Sequence, residues 1–121
     1  MYLDRVPTIG SIAEDIAEDN GIEFDPMTIL LIVQAIISIV KLYQDCFGSC
    51  SAQAVRGYLT TGGPIMQRVR RRFVARHLRR TMGLDEYEVA GGSDFVNAVF
   101  DYVKSEDEEV IQQAISEALE Q

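Results

Sequence analysis

The chain has no tryptophan, one histidine, two cysteines and three prolines among its 121 residues. A single histidine leaves little material for acid–base or metal chemistry, because imidazole is the usual side chain for both near neutral pH. Two cysteines do not make a disulfide-rich fold. No stretch shows the regular alternation of apolar and polar residues that is typical of a half-buried strand, so the sequence does not predict a β architecture.

Acidic residues are missing from the middle of the chain. None occurs between Cys46 and Leu84, although the chain carries 19 acids against 11 bases and a net charge of −8. Residues 1–45 hold eight acids and two bases, residues 46–84 hold eight bases and no acid, and residues 85–121 hold eleven acids and one base. The overall acidity disfavours a dedicated nucleic-acid binder and confines any such contact to the basic segment.

Length and composition predict one folded helical domain over residues 1–121. Apolar residues make up 47% of the chain and charged residues 25%, as in ordinary globular proteins. Residues 1–10 show neither a helix pattern nor the apolar run of a secretion signal. We expect them to pack on the core or to form an extended N-terminal arm onto another chain. The expected location is cytoplasmic or within a macromolecular particle.

Start and stop signals predict an all-α fold, a compact bundle of five or six helices. Ser11 and Glu14 match a capping box, and Asn20–Gly21 matches a helix end. Further helix starts are predicted at Asp25–Pro26, Ser51, Pro64, Ser93 and Ser105. The segment 84–89 is predicted to be a helical turn or a loop.

The helix predicted at about residues 26–47 should be the centre of the fold. Between Met27 and Tyr43 its polar residues are Thr28, Gln34, Ser38 and Lys41. The last three lie along one line of the helix, so the pattern predicts burial on nearly every other side.

The same segment admits a second interpretation, as the membrane-inserting part of a small membrane-active protein. The apolar stretch 27–43 contains Gln34 and Lys41. It is 17 residues long, whereas crossing a bilayer takes about 20. We therefore favour a buried core helix.

The sequence offers little for catalysis, metals or cofactors. Cys46 and Cys50 are interpreted as two reduced thiols, with a small local disulfide as the alternative. A zinc site would need more ligands than these thiols and His77 provide. His77 lies on the apolar-leaning side of its predicted helix and is interpreted as a packed residue. We predict a non-enzymatic protein with no cofactor and no metal.

The basic segment forms a face on one predicted helix, from Pro64 to Met82. At helical spacing, one face carries the partner- or phosphate-binding candidates Arg68, Arg72, Arg76 and Arg79, with Arg71 beside them. Arg70 and Arg80 point elsewhere. One apolar-leaning stripe (Val69, Phe73, His77) and a second one (Val74, Leu78, Met82) are predicted to be buried on either side of this face.

A row of arginines needs a negative partner, and three kinds fit. One is the chain's own acidic segment, with the predicted counter-surface Glu106, Asp107, Glu108 and Glu109. The second is a neighbouring protein subunit, either another copy or a different chain. The third is a nucleic acid, held by its phosphates. The lack of aromatic residues between the arginines disfavours nucleic acid, since Phe73 is assigned to the core.

The hypothesis that follows is a non-enzymatic assembly, adaptor or structural protein whose basic helix face contacts other subunits. A viral or phage assembly is the kind of larger particle that would suit such a chain. The alternatives are an accessory nucleic-acid-binding protein that uses the same arginines, and the small membrane-active protein.

Overall fold

The computed structural model describes residues 8–22, 25–48 and 50–120. These residues contain no strand, and they form seven helices: α1 (Ile9–Asp19), α2 (Pro26–Phe47), α3 (Ala52–Thr60), α4 (Pro64–Met82), α5 (Leu84–Val89), α6 (Gly92–Ser105) and α7 (Glu108–Leu119). The all-α bundle is confirmed. Five or six helices were predicted, and the additional one is α5, which forms where the sequence predicted a helical turn or a loop.

The start of α2 follows the predicted chemistry. The Asp25 carboxylate accepts hydrogen bonds from the backbone N–H groups of Met27 (2.7 Å) and Thr28 (3.3 Å). Pro26 occupies the first turn, where a missing N–H removes no helical hydrogen bond. Gly48 ends the helix in the left-handed conformation.

Three predicted helix starts were wrong by one turn or less. Thr8, not Ser11, caps α1, and the Thr8 and Ser11 hydroxyls each accept from the other residue's N–H. Helix α6 begins at Gly92 rather than after a Ser93 cap. Ser105 does not start a new helix but is the last residue of α6. Its hydroxyl donates back to the Asp101 carbonyl at 2.9 Å.

An extended N-terminal arm was predicted over residues 1–10, but its last residues belong to α1. Thr8 is the cap of α1, and Ile9 and Gly10 are its first residues, with Ile9 buried. The rest of that predicted arm, residues 1–7, lies outside the described residues.

Helix α2 is the centre of the bundle, but it is less buried than predicted. It packs against α1, α4, α5 and α7. The face that these helices cover buries Leu31, Ile32, Ala35, Ile36, Ile39, Val40 and Tyr43. Near its N-terminus, however, Met27 and Leu30 are exposed. The neighbouring helices therefore cover one broad side of α2, and the exposed side is wider than the polar stripe alone.

Candidate binding surface on helix α4

Helix α4 lies at the surface of the bundle, against α2, α5 and α6. It begins after Gly62 and Gly63 and ends at Gly83, as predicted. Gly62 has φ +83°, and a Cβ at this position would come within 3.1 Å of the Met66 side chain, so the turn into α4 requires glycine. Of its 19 residues, α4 buries three, namely Val74, Ala75 and Leu78.

The predicted arginine face is exposed. Arg68, Arg72, Arg76 and Arg79 all lie on the solvent side of α4. Within the described ranges, no ion pair shorter than 4.0 Å joins an α4 arginine to a carboxylate. The Arg79 guanidinium lies over the Tyr87 ring, 5.6 Å from its centre. The structure thus brings the predicted face together, and no carboxylate of the described residues lies within 4.0 Å of its guanidinium groups.

Arg71 lies beside this face and is partly buried. Its guanidinium lies over the Phe100 ring of α6, 5.4 Å from the ring centre. Its Nε atom is buried and, among the described residues, has no hydrogen-bond acceptor. A buried donor without an acceptor costs free energy unless a bound group satisfies it.

Arg70 has a structural role and lies off the arginine face, as the helical spacing predicts. Its guanidinium donates to the backbone carbonyls of Tyr58 and Thr61, the latter at 2.7 Å. It also stacks over the Tyr58 ring at 4.2 Å. These contacts tie α4 to the end of α3. Arg80 is exposed and lies close to the outermost line of the helix.

One of the two apolar stripes on α4 is not buried, so that prediction was wrong. Val69 is 53% exposed and Phe73 49% exposed, and Ile65, one turn earlier, is 77% exposed. In the described part of the chain no helix buries Ile65 or Val69, and α2 covers Phe73 only in part. The assignment of Phe73 to the core was therefore also wrong. The other stripe behaves as predicted, since Val74 and Leu78 are buried and Met82 is partly buried.

Ile65, Val69 and Phe73 follow each other at i, i+4 and i+8, so they form one line along the helix. We call this line the apolar stripe. It runs beside the exposed arginines, and at its end Phe73 lines a small pocket together with the exposed Phe47 of α2. The outward surface of α4 is therefore half basic and half apolar.

A groove of about 750 Å³ lies between α4 and α6. The two helices are antiparallel, since Lys104 donates to the Gln67 side chain at 2.8 Å while Arg71 lies over Phe100. The groove is lined by Gly62, Gly63, Pro64, Gln67, Arg68, Arg71, Arg72, Ala75, Arg79, Ser93, Val96 and Asn97. Among these described residues four are arginines and none is acidic.

The predicted acidic counter-surface contacts α3. Glu108 pairs with Arg56 of α3 at 3.8 Å, and the Arg56 guanidinium also donates to the backbone carbonyls of Val103 and Glu106. Asp107 and Glu109 are exposed. The segment therefore contacts Arg56 of its own chain. Its role as a surface for another copy of the chain stays a prediction.

Glu106 adds to an acidic cluster with α1. Burial raises the pKa of Asp15 above the usual 3.8, and the neighbouring charges of Asp19, Glu106 and Glu14 raise it further. Burial, followed by the charge of Glu106, raises the pKa of the Tyr102 phenol as well. The surface of α1 is therefore strongly negative, on a different part of the molecule from the contacts of α4.

This cluster predicts a pH-dependent gain from Asp15→Asn. The raised pKa means that Asp15 contributes less to the free energy of unfolding as the pH rises above about 3.8, because its carboxylate then ionises beside Asp19, Glu106 and Glu14. The variant should unfold at a higher temperature than the wild type at about pH 7, and the two should converge at about pH 3. Asp101→Asn is the charge-matched control, since Asp101 is an aspartate of α6 that is exposed as Asp15 is. Equal gains from both variants would contradict the account.

The remaining polar candidates have local roles. The His77 Nε2 atom is 2.8 Å from the Ser38 hydroxyl oxygen, which joins α4 to the polar line of α2. Cys46 is exposed and Cys50 partly buried, both are free thiols, and burial raises the pKa of Cys50 to about 11. No cluster of three or more metal-binding side chains occurs among the described residues.

By length and composition, α2 is the one described helix that could cross a bilayer. It has 22 residues, and its most apolar 18-residue window has a mean hydropathy of 1.9 and is 39% buried. It is longer than the predicted apolar stretch 27–43. The core helix of a bundle passes the same test, and α2 packs against four other helices.

Sequence reasoning missed the exposure of the apolar stripe and the α6 wall of the groove, with Ser93 and Asn97. A usable signal for the first was present. α4 carries two apolar lines, whereas a helix on the surface of a bundle buries one. For Ser93 and Asn97 no signal existed, because their position depends on how α6 packs against α4.

Comparison with models of known families, with characterised proteins and with solved structures found no match to this chain.

Proposed function

We propose that the chain is a non-enzymatic assembly or adaptor protein that contacts other subunits through the outward surface of α4. One observation carries this proposal. A row of exposed arginines without a carboxylate partner among the described residues runs beside the apolar stripe, whose members are about half exposed or more. Arginines next to exposed apolar side chains are the usual composition of a protein interface.

The apolar stripe favours a protein over a nucleic acid. Phosphates would neutralise the arginines, but they would gain nothing from Ile65 or Val69, which a duplex would leave in water. A protein surface with acidic and apolar groups could use both halves of α4. Apolar contacts would supply the affinity, and charge would supply the orientation.

A second copy of this chain could supply the acidic groups of such a surface. The exposed acids of α1 are Glu14, Asp15, Glu18 and Asp19. Contact between α4 of one copy and α1 of the next would be head to tail, because two different surfaces meet. A different acidic subunit is the other candidate within the same proposal.

Size-exclusion chromatography with light scattering tests the proposal, together with a pull-down that uses the intact chain as bait. The wild type should form a defined oligomer or retain a stable partner. Val69→Ser with Phe73→Ser should weaken that complex at least about tenfold, because it removes apolar area at the contact. Leu84→Ser with Val89→Ser is the matched control, since these two side chains are as exposed but lie on α5.

A monomer at high concentration that also retains no partner would contradict the proposal. Equal weakening by the two double variants would contradict the role of the apolar stripe. Absorbance at 260 nm, recorded in the same run, detects the alternative partner. Nucleic acid that co-purifies, and that dissociates as salt rises from about 50 to 200 mM, would favour the nucleic-acid-binding function instead.

A further inference from the structure

We propose that the groove between α4 and α6 is a binding site for a linear chain of phosphate groups, such as an oligophosphate. This site goes beyond the protein contact proposed above. None of the three residues of the apolar stripe lines the groove, whereas Arg68, Arg71, Arg72 and Arg79 do. The two surfaces share Arg68, Arg72 and Arg79, but the groove extends towards α6, away from the apolar stripe.

Charge is the first argument. One wall of the groove carries four arginines, and none of the described lining residues is acidic. Arg68 and Arg72 are one turn apart, so their charges repel each other. A polyanion that lies along the wall would remove this repulsion and would pair with several guanidinium groups at once.

Unsatisfied hydrogen-bond donors are the second argument. The Nε atom of Arg71 is buried and lacks an acceptor among the described residues. At one end of the groove, no side chain from the described ranges caps the N-terminus of α4, and the first turn contains no acidic residue. The backbone N–H groups of Ile65 and Met66 therefore have no helical acceptor. Gly62 and Gly63 line this end without side chains that would keep a ligand away.

The shape of the groove favours an extended ligand. It follows α4 from Gly63 to Arg79, a rise of sixteen residues, or about 24 Å at the α-helical rise. This length accommodates several phosphate groups in line. On the opposite wall, Ser93 and Asn97 of α6 provide a hydroxyl and an amide that can donate to phosphate oxygens.

Phosphate fits these donors better than the carboxylates of an acidic peptide. A phosphate chain offers oxygens on every unit, close to the backbone of the ligand, and a guanidinium can bind two of them at once. An acidic peptide would have to place its side chains at the spacing of the arginines. Its own backbone would also need room in the groove.

Isothermal titration calorimetry of the intact chain with tripolyphosphate tests the site. We expect saturable binding that weakens steeply between about 50 and 200 mM salt. Arg68→Gln with Arg79→Gln should weaken binding about tenfold or more, because two charged donors of the groove are lost. Arg76→Gln with Arg80→Gln removes the same charge from arginines that do not line the groove, and it should change the affinity by less than about threefold.

A single-stranded oligonucleotide and an acidic peptide complete the experiment. An oligonucleotide that competes with tripolyphosphate would support the site and identify a nucleic acid as one source of the phosphates. Failure of tripolyphosphate to bind, equal losses from the two double variants, or tighter binding of the acidic peptide would each overturn the proposal. Val69→Ser with Phe73→Ser should retain tripolyphosphate binding, so this site and the protein contact can fail separately.

Discussion

Replacing Phe95 with alanine should lower the free energy of unfolding by about 3–5 kcal/mol. Phe95 is 1% exposed and is among the largest fully buried side chains of the described core. Its removal leaves a cavity that the surrounding helices can fill only in part. A domain of this size has a total stability of about 5–15 kcal/mol, so the loss should be plain in urea unfolding followed by circular dichroism.

Phe73→Ala is the matched comparison, because it makes the same chemical change on α4. Phe73 is 49% exposed, and its loss should lower the free energy of unfolding by less than about 1 kcal/mol. It should nevertheless weaken the proposed protein contact. Similar destabilisation by the two variants would mean that Phe73 is a core residue and that the apolar stripe is buried after all.

Reversing two charges of the arginine face, with Arg72→Glu and Arg76→Glu, should abolish the proposed contact of α4 with a partner. The loss should be at least about a hundredfold in affinity, since each change places a like charge against an acidic surface. The isolated chain should be as stable as the wild type, or more stable by up to about 1 kcal/mol, because repulsion between arginines one turn apart is relieved.

Arg70→Gln is the control on the same helix. Arg70 donates to the carbonyls of Tyr58 and Thr61, so its loss should lower the free energy of unfolding by about 1–3 kcal/mol. It should affect partner binding less than the double reversal does. If the double reversal instead destabilised the isolated chain by more than Arg70→Gln, the arginines would be neutralised within the chain, and the proposed contact would lose its main support.

Much of the fold could be predicted because local chemistry determines it. Helix α2 begins at Pro26, after its cap Asp25, and ends at Gly48. The hydrogen bonds and backbone preferences that set these ends act within a few residues. The predicted starts at Ser11, Ser93 and Ser105 were wrong because other local signals competed there. Thr8 offers a hydroxyl one turn earlier than Ser11, and the Ser105 hydroxyl bonds back into its own helix.

The candidate surface could be predicted only in part, because it depends on which side of α4 meets the bundle. Helical spacing places Arg68, Arg72, Arg76 and Arg79 together, and the structure agrees. The same spacing cannot show which apolar line of α4 is buried, the one with Val69 and Phe73 or the one with Val74 and Leu78. Helices α2, α5 and α6 pack against the line with Val74 and Leu78, and they leave Val69 and Phe73 exposed.

The central claim is that the exposed row Arg68, Arg72, Arg76 and Arg79 serves a partner rather than the chain's own fold, and molar mass tests it most directly. Light scattering should be measured on the wild type and on the variant with Arg72→Glu and Arg76→Glu, beside their urea unfolding curves. The account predicts an oligomer or a stable complex for the wild type, and an equally stable monomer for the variant. An unchanged assembly in the variant would contradict it.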